Sequence, residues 1–167
     1  MTHHPQLQAQ TRLDTPLGTM TAAATAAGLA GLWFDGQAHH PGPLALPDDA
    51  THPHLQAAAR ALQAYFNGAA DPLHSVPLDL HGTAFQRAVW RALAALPRGA
   101  TSTYGQIASA AGSPAAVRAA GAAIGRNPVS VLVPCHRVLG RDGSLTGYAG
   151  GLPRKAALLQ AEGVLPA

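Results

Sequence analysis

The chain has 167 residues, of which 47% are hydrophobic and 11% charged, with a formal net charge of +3. That length fits one large domain or two small ones, and so much apolar material excludes a wholly disordered chain. A single cysteine excludes an intrachain disulfide and a multi-cysteine zinc site, and no apolar run is long enough to span a bilayer.

The charge is unevenly spread. Residues 1–81 carry Arg12 and Arg60 against six acids, a net −4, while residues 82–167 carry nine basic residues against Asp142 and Glu162, a net +7. A basic half beside a mildly acidic one points to a polyanionic partner for the second half. The opening MTHHPQLQAQ lacks the apolar core of a secretory signal. One free thiol suits a reducing compartment, so the expected location is the cytoplasm.

Taken in chain order, Thr15 to Gly36 shows short β-compatible runs broken by glycine and reads as a hairpin or meander. A proline-rich loop follows, in which His39, His40, His52 and His54 read as solvated. Leu55 to Gly68 spaces Leu55, Ala59, Leu62 and Phe66 at helical intervals, with Gly68 placed to end the helix. The next stretch, DPLHSVPLDLHG, reads as an extended linker with a strand over Val76 to Leu80, and the charge balance changes there. The predicted organisation is therefore a support domain over residues 1–81 and a second domain over residues 82–167.

In the second domain, Thr83 is an N-cap candidate for a helix with an apolar stripe of Phe85, Val89, Trp90 and Leu93, ended by Pro97 and Gly99. Two short helices follow across a turn at Gly112, with Ser113 as N-cap candidate and Pro114 at the first helical position of the second. The pair has the form of a helix-turn-helix, a form shared by many helical pairs that touch no nucleic acid. Its second helix is almost all alanine and glycine around Arg118, the one long side chain available to reach out of it. Val131 to Val133 reads as a short buried strand stopped by Pro134, which leaves Cys135 at a strand end with His136 and Arg137 next to it. A lone cysteine is commonly just a small buried hydrophobe. It becomes a nucleophile only when ionised, and a neighbouring base or cation favours that. The last helix begins near Pro153, buries Leu158 and Leu159, and ends at Gly163. Glu162 falls in its last turn, where the helix dipole disfavours a carboxylate. That position suits a glutamate with a specific partner, or one that is simply solvated.

The stretches PCHRVLG, TYGQIA, GRNPV, TGYAGGL and AEG, in this order and spacing, resemble the methylated-DNA–protein-cysteine S-methyltransferases, the O6-alkylguanine-DNA alkyltransferase family of direct-reversal repair proteins. The resemblance is strong from Thr83 to Gly163. It implies an α/β (α+β) fold, with a small antiparallel-sheet domain and a helix before a mainly helical domain. It also implies irreversible, once-only transfer of an alkyl group from O6-alkylguanine in double-stranded DNA to Cys135. His136 would act through a water as base, with Glu162 orienting it, Asn127 bracing the cysteine turn, and Tyr104 contacting the flipped base and the backbone. The family's helix-turn-helix binds the minor groove, so Arg118 would fill the stack, with Ser113 and Ala119 beside the DNA. Tyr148, Ala149, Gly150 and the Val138 carbonyl would wall the base pocket. No metal, cofactor or membrane is implied, and the protein would act as a monomer. Ala149, Ser130 and Ala161 stand where many relatives have serine, proline and histidine. Two other classes use similar residues: a lesion-binding or regulatory protein on the same scaffold, which lacks the cysteine, and a cysteine hydrolase built on Cys135 and His136.

Overall fold

The computed structural model describes residues 6–166. Strands β1 (Ala9–Thr15), β2 (Gly18–Ala24) and β3 (Leu29–Phe34) form an antiparallel sheet in the order β1-β2-β3. Pro16 presets the first turn, and the Thr15 hydroxyl closes it by accepting from Leu17 N at 3.1 Å and donating to Gly18 O at 2.7 Å. The meander predicted from Thr15 thus begins earlier, at Ala9.

Helix α1 (Pro53–Phe66) packs on this sheet. Its buried face is Leu55, Ala58, Leu62 and Tyr65, rotated slightly from the predicted stripe, so that Ala59 and Phe66 lie at its margins. His54 belongs to the helix rather than to the preceding loop, and the His52 ring caps its first turn. Gly68 follows the Asn67 cap with φ of 95°, as its placement predicts.

The expected strand over Val76 to Leu80 is absent. Pro72–Ser75 form a 3-10 turn, and only Leu78 bridges to Leu29 of β3. Pro77 explains this, because it has no N–H for a ladder and offers only its carbonyl, to Leu29 N at 2.8 Å.

The remaining chain is mainly helical: α2 (Ala84–Ala94), α3 (Tyr104–Ala110), α4 (Val117–Gly125) and α5 (Leu152–Ala161). Thr83 and Gln86 cap α2 reciprocally, and Thr103 and Gln106 repeat the device on α3. Gly112, at φ of 84°, turns the chain between α3 and α4. Ser113 is not the N-cap of α4. The segment Ser113–Ala116 closes as a separate turn (Ala116 N to Ser113 O, 2.9 Å), and the helix starts at Val117. Proline after serine here favours the second position of a turn over the first turn of a helix.

The strand expected at Val131–Val133 is also not formed. These residues are buried in a tight turn, with Leu132 N on Ser130 O and Val133 N on Val129 O, and Val131 sits at φ of 71°. Holding a β-branched residue in that region costs on the order of 1–3 kcal/mol, so local packing has overridden its strand preference. The turn is anchored on β3, where Leu32 N donates to Pro128 O and Ser130 N to Leu32 O. The buried residues of both halves join in one continuous hydrophobic core. Among the described residues no helix is long and apolar enough to cross a membrane.

Candidate functional site

The chain around the cysteine is held from three directions. Asn127 is buried, and its side chain donates to Val133 O at 2.7 Å and Val129 O at 3.3 Å while accepting from Val129 N at 3.0 Å. Cys135 then opens a 3-10 turn, Cys135–Arg137, rather than ending a strand. After it, β5 (Val138–Leu139) pairs in parallel with β4 (Ser102–Thr103), the two residues that lead into α3. One short ladder therefore links the cysteine turn to the start of the helix carrying Tyr104.

His136 and Glu162 meet at full burial, with Nε2 2.5 Å from Oε2. The proton on this contact belongs to Nε2, because the carboxylate is an acceptor only. That leaves Nδ1 as the basic nitrogen, and it has no hydrogen-bond partner among the described residues. Glu162 has three further donors: Tyr65 Oη at 2.6 Å, Arg137 Nε at 2.7 Å and Gly99 N at 3.3 Å. Burial alone would raise the Glu162 pKa, but the bonds from His136 and Arg137, with Tyr65, hold it well below the usual carboxylate range. The glutamate with a specific partner is thus the correct alternative. Its position after the last residue of α5 is offset by four donors.

Burial lowers the His136 pKa, and the neighbouring Arg137 and Lys155 add to that effect against the pull of Glu162. Burial also raises the Cys135 thiol above its ordinary value, although Asn127 and the Lys155 charge act the other way. In the folded protein the pair at rest is therefore a neutral thiol and a neutral imidazole, not a preformed thiolate.

Cys135 lies at a cavity of about 270 Å³ lined also by Tyr104, Gly121, Tyr148 and Ala149. The Tyr104 ring lies across Gly121 of α4, where an added Cβ would stand 3.6 Å from it, and its hydroxyl bonds Thr146 at 2.7 Å. Tyr148 meets the His136 ring edge-on, with centroids 6.4 Å apart, and its buried hydroxyl has no partner among the described residues. Gly150 is buried behind this wall. The Val138 carbonyl, expected to face a base, already accepts one bond, from Lys155 Nζ, and the Cys135 carbonyl accepts one from Val138 N. Arg118 and Ala119 are exposed on α4 and Ser113 lies in the turn before it, none of them lining the cavity.

Sequence reasoning missed Lys155, Tyr65 and His39, and it named Arg137 as a cation beside Cys135 without its bond to Glu162. Lys155 is fully buried and donates to Val138 O at 2.6 Å and Thr146 O at 2.9 Å, tying the pocket wall to the cysteine turn. Its spacing could have revealed it, because Lys155, Leu158, Leu159 and Glu162 fall on one helical face. Tyr65 stands in the apolar stripe of α1 in the same way, and Arg137 directly follows the Cys-His pair. His39 is exposed but lines the cavity mouth, where the adjacent Ala38 N donates to Ala149 O at 2.9 Å. Ser130 is buried and donates to Gln37 at 3.2 Å, so it helps fasten the cysteine turn to the sheet half.

A cysteine lining a cavity, followed in the chain by an imidazole whose Nδ1 has no partner among the described residues, suits a thiol-dependent group-transfer protein. The comparison with known proteins narrows that class. A family model described as "6-O-methylguanine DNA methyltransferase, DNA binding domain" matches residues 84–164, and one described as the "ribonuclease-like domain" of the same family matches residues 10–80. A methylated-DNA–protein-cysteine methyltransferase of Mycobacterium tuberculosis is 44% identical over 151 residues, covering 90% of this chain and 89% of the relative. Its counterpart in Haemophilus influenzae is 40% identical over 152 residues, covering 91% and 84%. The crystal structure of M. tuberculosis OGT in complex with DNA superposes with a TM-score of 0.82 at 40% identity, covering 95% of this chain and 96% of that one. The chain belongs to the 6-O-methylguanine DNA methyltransferase family.

Proposed function

We propose that this protein repairs alkylated DNA by direct reversal, taking the methyl group of O6-methylguanine onto Cys135. In one substitution the Cys135 sulfur bonds the methyl carbon and the bond from that carbon to O6 breaks. The thiol proton passes by way of a water to Nδ1 of His136, the departing guanine takes a proton at N1 from water, and the imidazolium returns its proton to water, so that the proton lost by sulfur equals the one gained by guanine. Guanine is restored and Cys135 becomes S-methylcysteine, a thioether that water does not cleave, so each molecule acts once. The observation that carries this reading is the open, buried Nδ1 of His136, the residue after the chain's one cysteine, with Nε2 locked on Glu162. The neutral resting pair fits it, since the thiol needs to lose its proton only as the methyl group arrives.

The partner is double-stranded DNA, a reading supported by the M. tuberculosis relative's structure in complex with DNA. The lesion must leave the stack to reach a cavity of this kind. In this reading residues 82–167 hold the DNA and the acceptor, residues 1–81 support them, and the protein works in the cytoplasm as a monomer without metal or cofactor. Tyr104, Tyr148, Ala149, Gly150 and the Val138 carbonyl would surround the extruded base. Ser113 and Ala119 would face the minor groove, and exposed Arg118 would take the base's place in the stack.

The first test weighs the intact protein after incubation with a duplex carrying O6-methylguanine. One added methyl, absent in Cys135→Ser, is expected. An unchanged mass, with or without tight binding, defeats the reading. Arg118→Ala should slow transfer from duplex by about 10- to 100-fold, the equivalent of the few kcal/mol that unstacking costs. It should leave reaction with free O6-benzylguanine within about twofold, because a free base needs no extrusion. Equal losses on both substrates would remove Arg118 from its role.

A further inference from the structure

We propose that Tyr65 is a positioning residue for alkyl transfer: from α1, in the sheet half of the chain, it fixes the Glu162 carboxylate against which His136 rests. The inference depends on Cys135 being the methyl acceptor and concerns how its base is aimed. Tyr65 is 1% exposed and lies 97 positions from Glu162 in the chain, yet its hydroxyl donates to Oε2 at 2.6 Å. The same oxygen takes Nε2 of His136 at 2.5 Å. The Tyr65 ring also meets the imidazole edge-to-face, with centroids 6.3 Å apart.

Arg98 secures this contact. Its guanidinium lies over the Tyr65 ring, 4.9 Å from the centroid, and donates to the carbonyls of Tyr65, Ala69 and Ala161. The end of α1 is thereby fastened to the end of α5, where Glu162 projects. Of the four donors on Glu162, three come from the second half of the chain: the His136 ring, the Arg137 guanidinium and the Gly99 amide. Among the described residues Tyr65 alone comes from the first half. Burial, then the Glu162 carboxylate, pushes its phenol far above the ordinary value, so it remains a donor at every working pH.

Sharing one oxygen has a consequence for the base. Each donor withdraws charge from Oε2, so the hold of the carboxylate on a protonated His136 weakens as Tyr65 donates more strongly. The other ionisable groups around Tyr65 and the pair are Arg137 and Cys135 from the cysteine turn, Arg98 over the Tyr65 ring, Lys155 of α5 and Tyr148 of the pocket wall. None of these changes when Tyr65 loses its hydroxyl.

The test is Tyr65→Phe, followed by single-turnover methyl transfer from duplex O6-methylguanine as a function of pH. The acid limb reports protonation of His136, which then cannot take the thiol proton. Without the Tyr65 hydroxyl, His136 should become more basic and the acid inflection should rise by about half a pH unit, with a plateau about 10-fold lower from looser orientation. Site-specific 3-fluorotyrosine at position 65, a stronger donor of nearly the same size, should move the inflection the opposite way. An inflection that stays in place in both proteins overturns the proposal, whatever happens to the plateau, because packing alone would not move it. Should Tyr65→Phe fail to fold, the fluorotyrosine protein carries the test alone. Failure of the wild-type protein to methylate Cys135 would instead defeat the underlying reading.

Discussion

Glu162→Gln should slow methyl transfer by about 100-fold and move the recovery of the rate toward alkaline pH, where the thiol ionises without help. The size follows from the contribution of a positioned base, which is about 10²–10⁴ in rate. The carboxylate has two tasks that an amide cannot perform. It balances the charge His136 acquires when it takes the thiol proton, and it neutralises the buried guanidinium of Arg137 at 2.7 Å. Removing one partner of a buried ion pair costs about 3–5 kcal/mol, so the variant should also be much less stable to urea. A pH–rate profile superimposable on that of the wild type would separate Glu162 from the proton path. Undiminished stability would mean that Arg137 had found another anion.

The same groups set the acid and alkaline limits of stability, and their signs can be worked out. Glu162 is depressed in the folded state, so its contribution is complete above its unfolded value of about 4.3 and is lost as pH falls below it. His136 is also depressed. Between its folded value and about 6.5 the unfolded chain binds a proton that the native one refuses, so stability falls as pH drops below about 6.5. Cys135 is raised, so the unfolded chain loses its proton first and stability declines above about 8.5. The most stable range lies between the last two limits. In Glu162→Gln the loss below about 4.3 should shrink, since the amide does not titrate.

The mixed α/β architecture, the helix caps at Thr83 and Gly68 and the pairing of His136 with Glu162 were legible in the sequence, because each rests on local spacing or on a short motif. What it misplaced depends on long-range bonds. Val131–Val133 carry every mark of a strand, and only the buried Asn127 amide and the edge of β3 turn them into a loop. Ser113 and Pro114 carry the marks of a helix start, yet they close a turn of their own. Tyr65 and Lys155 were hidden for a related reason. An aromatic in an apolar stripe reads as core and a lysine in a helix reads as surface, until the partners 97 and 17 positions away are known.

Asn127→Ala should cost about 3–5 kcal/mol in urea denaturation and abolish fast transfer. Three backbone groups depend on the Asn127 side chain: Val129 N, Val129 O and Val133 O, all within buried residues. Each buried polar group left without a partner costs about 1–3 kcal/mol, and alanine offers no replacement. The turn they close holds Val131 at φ of 71°, a conformation valine adopts only under constraint. Once the bonds are gone, that strain favours opening of the loop. Cys135 lies two residues beyond Val133, so opening carries the sulfur away from the cavity. The thiol would also gain access to water, which removes the burial that raises its pKa. Asn127→Ala should therefore react faster than the wild type with iodoacetamide at neutral pH while repairing duplex far more slowly. Parallel losses in both reactions would mean that the turn stays closed without Asn127, and that its amide acts on the sulfur alone.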